Sequence, residues 1–483
     1  MTITPIGFII IPLSLVIFLV WPRLLVPWAI IASVFEAASV INFGSGVTSI
    51  GIAPFYLVVM LMGLRFVPQY LSGRFGFPKD NPLLNLFRLI TLFTCWGVVS
   101  AFVLPFLFEN VIVNTPHGGM DTVPLPLHWS LRNVAQAGYL TLDWIFILYA
   151  TWYARDHRDV EADIRAFRSA GLIVVAVGLY QLVAHNTGLP FPKEFFNSNE
   201  SWKQLIDQRM AGSWRLSATF TEPSAAGGFF ATWSAYFLFT FEDRTVARRF
   251  DWLLLCSGIA MLLLTTSSTG YFVTAVMLSM FVMQQVLRLI VQGRMNPRVL
   301  IICVVIGVGG IAAVALLPNF NRLLQQVLFE KSVSISARQR TATQWLALAI
   351  TGQSFGLGVG LGSNRPSGML FYIISDLGVP GLLLFAGCLY MTFSMVSASI
   401  HTRLRCFSAR GYLRGSTWAF GITVFTMVVS GAEVTSPRVW VTWALICGIL
   451  NHAAASSQRQ AIIRAPSGCV ERPFGMVETA RFG

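Results

Sequence analysis

Residues 215–241 read RLSATFTEPSAAGGFFATWSAYFLFTF, a polar stretch that runs without a break into an apolar one. No charge interrupts Phe229–Phe241, and the run reads as part of a membrane helix near 226–242. Arg215 and Glu222 stand ahead of it. A guanidinium and a carboxylate at the mouth of a membrane helix are costly unless paired or used, which makes them candidates for function. Thr221-Glu222-Pro223-Ser224 reads equally well as cap chemistry before a helix. The two readings stay open on these residues alone. What separates them is which other residues share that side of the membrane.

The same alternation of apolar run and polar break extends in both directions. Of 483 residues, 55% are hydrophobic and 11% charged, with a mean hydropathy of +0.66; a soluble domain carries about 25% charged residues. Runs long enough to cross a bilayer recur from end to end, so the chain is expected to be an all-α polytopic membrane protein. A β-barrel would need short alternating segments, which the sequence lacks. The run Ile6–Val20 has neither the basic flank nor the small-residue cleavage site of a signal peptide, and is read as the first membrane helix. Helices are expected near 5–21, 24–41, 48–66, 88–108, 134–154, 169–186, 226–242, 251–265, 269–288, 299–317, 369–394, 416–432 and 439–454. That gives about 12–13 spans. Residues 1–455 form one integral membrane domain and 456–483 a tail.

Charge sets the expected orientation. The formal net charge is +13. Arg65, Arg74, Lys79 and Arg88 fall in one loop, Arg155, Arg158, Arg165 and Arg168 in another, and further sets follow at Arg244–Arg249, Arg288–Arg298 and Arg403–Arg414. With thirteen helices all of these loops fall on one side, which the positive-inside rule makes the cytoplasm. The N-terminus is then periplasmic and the C-terminal tail cytoplasmic. The short opposite loops 42–47 and 433–438 hold one basic residue, Arg438. Basic charge facing anionic lipid accounts for the balance, and no basic stripe interleaved with stacking aromatics argues for nucleic acid. The seven cysteines show no CxxC spacing, so neither a disulfide framework nor a metal cluster is expected.

Two outer segments, about 187–225 and 318–368, are too long to be plain connectors. The first holds Trp202, Leu205, Ile206 and Met210, and the second holds RQRTATQWLALAI from Arg338 to Ile350; both patterns predict amphipathic helices on the membrane surface. A third outer loop, 109–133, shows no periodicity and reads as an ordinary connection. The second long loop continues into GLGVGLGSNRPSG, Gly356 to Gly368. Glycines so spaced allow close backbone approach and exposed N–H groups, as anion sites use, although no GK[ST] follows to make a P-loop. Arg215, Arg338, Arg340 and Arg365 lie on a side where cations are normally sparse, and guanidinium is the favoured partner of a diphosphate. Arg338 and Arg340 read alternatively as contacts to solvent or lipid headgroups. TTSSTG, Thr265 to Gly270, breaks an apolar run on that side and fits helix packing better than sugar binding.

RLSATFTEPSAAGG, TTSSTG and GLGVGLGSNRPSGMLFYIISDLGVPG, in that order and on one side, resemble the superfamily of O-antigen ligases and Wzy-type polysaccharide polymerases. The resemblance implies a GT-C-like membrane fold with two large periplasmic loops in the bacterial inner membrane. It implies an enzyme that transfers a growing glycan from polyprenyl diphosphate onto a new lipid-linked repeat unit, without metal, cofactor or nucleotide sugar. Its partners would be the polyprenyl-diphosphate-linked oligosaccharide, membrane lipids, a flippase and a chain-length regulator. Arg215 and Arg338 would stabilise the departing diphosphate, with Arg340 and Arg365 assisting. Glu222 would be base or acceptor-orienting group, Asp376 its reserve, and Asn364 and Ser367 would meet substrate. Two departures matter. Ligases carry a catalytic histidine where Ser367 stands, which favours a polymerase here over a ligase, and a Ser-Arg-Gly turn is replaced at its arginine by Thr269. A lipid-linked glycan flippase or transporter is the alternative of another class; the polar residues collect in outer loops, not at mid-membrane in two repeated halves.

Overall fold

Pro54, Pro223 and Pro437 each open a helix, at the position where a missing N–H costs nothing and the fixed φ already suits the helix. All three helices start at the same end of one bundle. A computed structural model describes residues 1–44, 50–79, 81–116, 122–201, 204–210, 213–241, 250–293, 335–402, 407–431 and 433–464. In chain order these contain β1 (Thr2–Ile3), α1 (Gly7–Val20), α2 (Leu25–Ala32), β2 (Ile41–Phe43), β3 (Ile50–Ile52), α3 (Pro54–Leu71) and α4 (Leu83–Leu107). There follow β4 (Ile112–Pro116), β5 (Thr122–Pro126), α5 (Leu131–Tyr153), α6 (His157–Thr187), α7 (Lys193–Phe196), β6 (Arg209–Met210) and β7 (Ser213–Trp214). The remainder is α8 (Pro223–Thr240), α9 (Asp251–Leu264), α10 (Ser268–Gln292), α11 (Ile335–Gln353), α12 (Met369–Tyr372), a π-helical turn (Ile373–Leu377), α13 (Gly378–Thr402), α14 (Phe407–Ser430) and α15 (Pro437–Arg464).

The stretch quoted first becomes the central helix. Every residue of α8 except Ala225 is buried, as a helix that is apolar all round should be. α9, α10 and α14 pack around it. Phe239 stacks on Trp418 at 3.9 Å, and the absent side chain of Gly171 makes room for Trp233, whose ring would lie 2.0 Å from a Cβ there. Among the described residues six helical stretches are long and apolar enough to cross a membrane: 54–71, 83–107, 157–187, 268–291, 369–400 and 437–456. The protein is a mostly helical, membrane-embedded one.

Every expected apolar helix has a helix at its position except 299–317, which lies outside the described residues. Several boundaries move for local reasons. The helix expected at 24–41 stops at Ala32, because the chain then turns through Glu36 and enters an antiparallel sheet in which β2 pairs with both β1 and β3. That sheet also takes the start of the helix expected at 48–66, which begins instead at Pro54. α5 begins at Leu131 behind a reciprocal Ser130–Asn133 capping box. α15 runs on to Arg464, past the boundary drawn at 455.

Two loop expectations are corrected. Residues 204–210 form no amphipathic helix: Leu205 N donates to Thr221 O at 2.8 Å, and β6 turns back on β7. The Trp214 ring lies 3.9 Å from the Arg209 guanidinium and 4.4 Å from the His185 ring. Trp202 is outside the described residues. Residues 109–133 are no plain connector either. They form the β4–β5 hairpin, whose Val113 packs with Leu127, Ile350 and Val359. Arg338–Ile350, by contrast, is helical as its pattern predicts, within α11.

Candidate functional site

A cavity of about 320 Å³ opens where α3, α8 and α15 begin. Ala53 precedes α3, Glu222 precedes α8, Ser436 precedes α15, and Pro437 and Arg438 begin it; all line the space. No side chain caps the N–H groups of α3 or α8. Helix N-termini carry partial positive charge, and three of them at one rim favour carboxylates there. Three carboxylates are found, Glu36, Glu222 and Glu433, together with the guanidiniums of Arg365 and Arg438. The cavity lies at the end of the bundle opposite the α3–α4 turn that carries Arg74 and the α5–α6 turn that carries Arg155.

Arg438 ties three segments together. Its Nε lies 2.9 Å from Glu36 Oε2, its Nη2 donates to Glu36 Oε1 at 3.2 Å and its Nη1 to the Ala225 carbonyl at 2.9 Å. Its guanidinium sits 5.3 Å over the Phe220 ring. The pair is largely enclosed, with 11% and 16% of the two side chains exposed. Burial pushes the Glu36 carboxyl above the usual carboxylate range, against the pull of Arg438 and with a further push from Glu433 and Glu222. Opposite, Glu433 accepts from Gln136 Nε2 at 3.2 Å and faces Arg365 at 4.0 Å. Gln136 in turn accepts from Thr435 Oγ1 at 2.7 Å, and Tyr56 donates to the Thr435 carbonyl. Tyr56 stacks on Tyr139 with centroids 4.2 Å apart.

Glu222 occupies the N-cap position of α8 in an extended conformation, φ −153° and ψ 157°, but its side chain accepts no helix N–H. It accepts the Ser224 hydroxyl instead and lines the cavity. Capping is therefore not what this carboxylate does. Arg215 is half-buried and lies within electrostatic reach of Glu222. Its Nε donates to Thr266 Oγ1 at 3.2 Å and its Nη1 to Gln208 Oε1. Thr266 belongs to TTSSTG and holds a left-handed φ of 45°, so that turn both packs α10 against α8 and fixes the first-loop arginine; Gly227 and Gly270 approach so closely that a Cβ on either would lie 3.3 Å from the other's Cα. Burial lowers the proton affinity of Arg215, Glu222 and Tyr271 raise it, and Arg340 lowers it further. Arg340 of the second loop is thus within electrostatic reach of Arg215. Arg338 is exposed.

The glycine-rich loop behaves differently. Gly356, Gly358, Gly360, Gly362 and Gly368 all have positive φ, yet the loop's N–H groups are spent internally. Val359 and Gly360 donate to the carbonyls of Ser375 and Asp376 at 2.9 Å each. Gly362 and Asn364 donate to the Asp376 carboxylate at 2.9 and 3.4 Å. Asp376, on the π-helical turn, also takes the Ser375 hydroxyl at 3.0 Å. The loop is wrapped around a buried carboxylate and offers no anion nest, and Asp376 is occupied as its structural centre. Asn364 is 2% exposed, donating to Ser375 Oγ and accepting from Asn114 N, both at 3.0 Å. Ser367 contacts Thr343 Oγ1 at 3.3 Å. Of the second-loop residues expected to meet substrate, Arg365 lines the cavity, while Asn364 and Ser367 hold the loop in shape.

Glu36, Glu433 and Arg438 were not among the expected site residues. The sequence carries a signal for two of them and none for Glu433. Glu36 is a carboxylate inside what reads as a membrane helix, and Arg438 is the lone basic residue of the short loops 42–47 and 433–438. Each is costly alone; together they pair. The chain matches no protein-family model and no curated protein.

Proposed function

We propose that the protein is a membrane glycosyltransferase of the bacterial inner membrane that polymerises polysaccharide, moving a growing glycan from polyprenyl diphosphate onto a new lipid-linked repeat unit at the periplasmic face. The observation that carries this reading is the meeting of two distant loops. Glu222 of the first and Arg365 of the second line one cavity at the end of the bundle away from the basic turns, and Arg215 of the first lies within electrostatic reach of both Glu222 and Arg340 of the second. The positive-inside rule makes that end periplasmic.

The reaction asks for two things. Negative charge grows on the departing diphosphate, and fixed cations in a partly dry site stabilise it. Arg215 and Arg340 suit this role: the first is held in place by Thr266 and Gln208, and their mutual repulsion is relieved when an anion lies between them. Arg338, exposed two residues earlier, contributes to capture at longer range. The acceptor hydroxyl must also be held for attack and lose a proton, which calls for carboxylates near the acceptor; Glu222, which lines the cavity and lies within electrostatic reach of Arg215, serves as base or acceptor-orienting group. A ligase differs only in acceptor, and free polymer against conjugated product separates the two.

Purified protein in liposomes with lipid-linked repeats tests the proposal. Wild type lengthens the glycan, and Arg215→Ala loses on the order of 10²-fold or more in rate while remaining in the membrane, so that single repeats accumulate. Polymer of normal length from Arg215→Ala would end the proposal. Translocation of the lipid-linked repeat without lengthening would replace it with a flippase.

A further inference from the structure

Arg365 and Arg438 line the cavity with three carboxylates, and each guanidinium already faces one of them, Glu433 at 4.0 Å and Glu36 at 2.9 Å. A diphosphate entering this space would meet more carboxylate than unspent cation. Neutral hydroxyls would not. Each carboxylate retains lone pairs to accept O–H groups, and the wall between them includes Phe35 and Tyr56, apolar surface of the kind that covers a sugar's C–H face. At about 320 Å³ there is room for the reacting end of a glycan and not for its length.

We infer that the cavity is the acceptor-saccharide subsite, separate from the cations beside it, and that Glu36 takes the proton of the attacking hydroxyl there. Three observations single out Glu36. It lies within the fields of both other carboxylates. Its partner Arg438 is anchored independently by the Ala225 carbonyl and the Phe220 ring, so the carboxylate is held from behind with lone pairs left over. Glu222 and Glu433, by comparison, accept Ser224 and Gln136. The titratable and charged groups facing Glu36 are Arg438, Glu433, Glu222 and Tyr56, and burial raises its proton affinity towards the range a general base needs. In the step, the acceptor oxygen bonds to the anomeric carbon as the bond from that carbon to the diphosphate oxygen breaks. The electron pair leaves on the diphosphate beside Arg215 and Arg340. The hydroxyl proton passes to Glu36, which later yields it to water. Glu222 lies between the two subsites and orients the acceptor.

This inference rests on the polymerase reading, and the experiment keeps the two apart. Initial rates of elongation are measured in liposomes across pH, with acceptor concentration varied. Glu36→Gln is expected to lose on the order of 10²–10⁴-fold in kcat with little change in acceptor KM, and to lose the acidic limb of the profile. Glu36→Asp keeps the ion pair and should fall between. Arg438→Lys keeps the charge but lacks the fork that grips both oxygens, and should move the acidic limb to higher pH, which a purely structural pair would not do. The double variant Glu36→Gln/Arg438→Gln, with both charges removed together, guards against misfolding and should be as slow as Glu36→Gln. Wild-type elongation with an unchanged rate and acidic limb in Glu36→Gln overturns the inference and leaves the polymerase standing. No elongation by wild type on any lipid-linked repeat overturns both.

Discussion

On paper, residues 356–368 look more like a binding loop than do the short segments around Glu36, Ala225 and Arg438, yet the two regions dispose of their polar groups in opposite ways. In the first, backbone N–H groups and the Asp376 carboxylate satisfy one another. In the second, carboxylates and guanidiniums pair across a space that remains open. Flexibility of composition does not mark a site. A site is where ionisable groups are brought out of water without closing the space between them.

The sharpest way to break this comparison is to remove Asp376. Asp376→Ala leaves the Gly362 and Asn364 N–H groups buried without acceptors, at about 1–3 kcal/mol each. The expected result is a large fall in folded protein, read by size-exclusion chromatography and thermal unfolding in detergent. Unchanged stability would mean that those amides are free to serve a ligand after all. Gly358→Ala should be nearly as damaging, because φ there is +82° and a Cβ would lie 2.6 Å from the Asp376 carbonyl oxygen.

On the cavity side the same logic predicts a rescue. Arg438→Ala strands Glu36 in a largely enclosed position and should cost about 3–5 kcal/mol. Adding Glu36→Gln should recover much of that loss, since the stranded charge is what costs. A double variant no more stable than Arg438→Ala would show that Arg438 acts through Ala225 and Phe220 and not through its ion pair.

These contrasts explain how much of the molecule is legible in its sequence. Hydropathy alone places the helices, because lipid requires each span to be apolar and to satisfy its own backbone. It misplaces the ends of α2 and α3, where three short strands pair residues far apart in the chain. Arg215, Glu222 and Arg365 stand out because charge at a membrane boundary is scarce. Glu36 and Arg438 are 402 positions apart, and no local pattern announces that they meet. Asn364 and Ser367 read from sequence as substrate contacts, and their bonds to Ser375, Asn114 and Thr343 could not be foreseen, because hydrogen-bonding side chains in a loop do not declare which partners within the fold will take them.

A smaller effect separates the two second-loop arginines. Arg340 lies within reach of Arg215, whereas Arg338 is exposed. Arg340→Ala should slow elongation on the order of tenfold more than Arg338→Ala, about 1.4 kcal/mol of transition-state stabilisation. Equal losses would place both at the leaving group and shift the diphosphate outward from Thr266.

The smallest effect bears directly on whether Glu36 resembles Asp376 or differs from it. Its carboxyl binds a proton more tightly in the folded protein than in the unfolded chain, because burial outweighs the attraction of Arg438. By linkage, the contribution of this group to stability is fully present below the unfolded value, 4.5, and is lost as pH rises through the higher folded value. Across that window wild type should lose stability relative to Glu36→Gln/Arg438→Gln, by about 1.4 kcal/mol for each pH unit that separates the two values. Unfolding temperatures of both proteins in detergent from pH 4 upward give the comparison. If wild type instead gains on the double variant as pH rises, Arg438 outweighs burial and the carboxylate is locked in its charged form. Glu36 would then be a second Asp376, held for the sake of the fold, and the proton acceptor would have to be sought in Glu222 or Glu433.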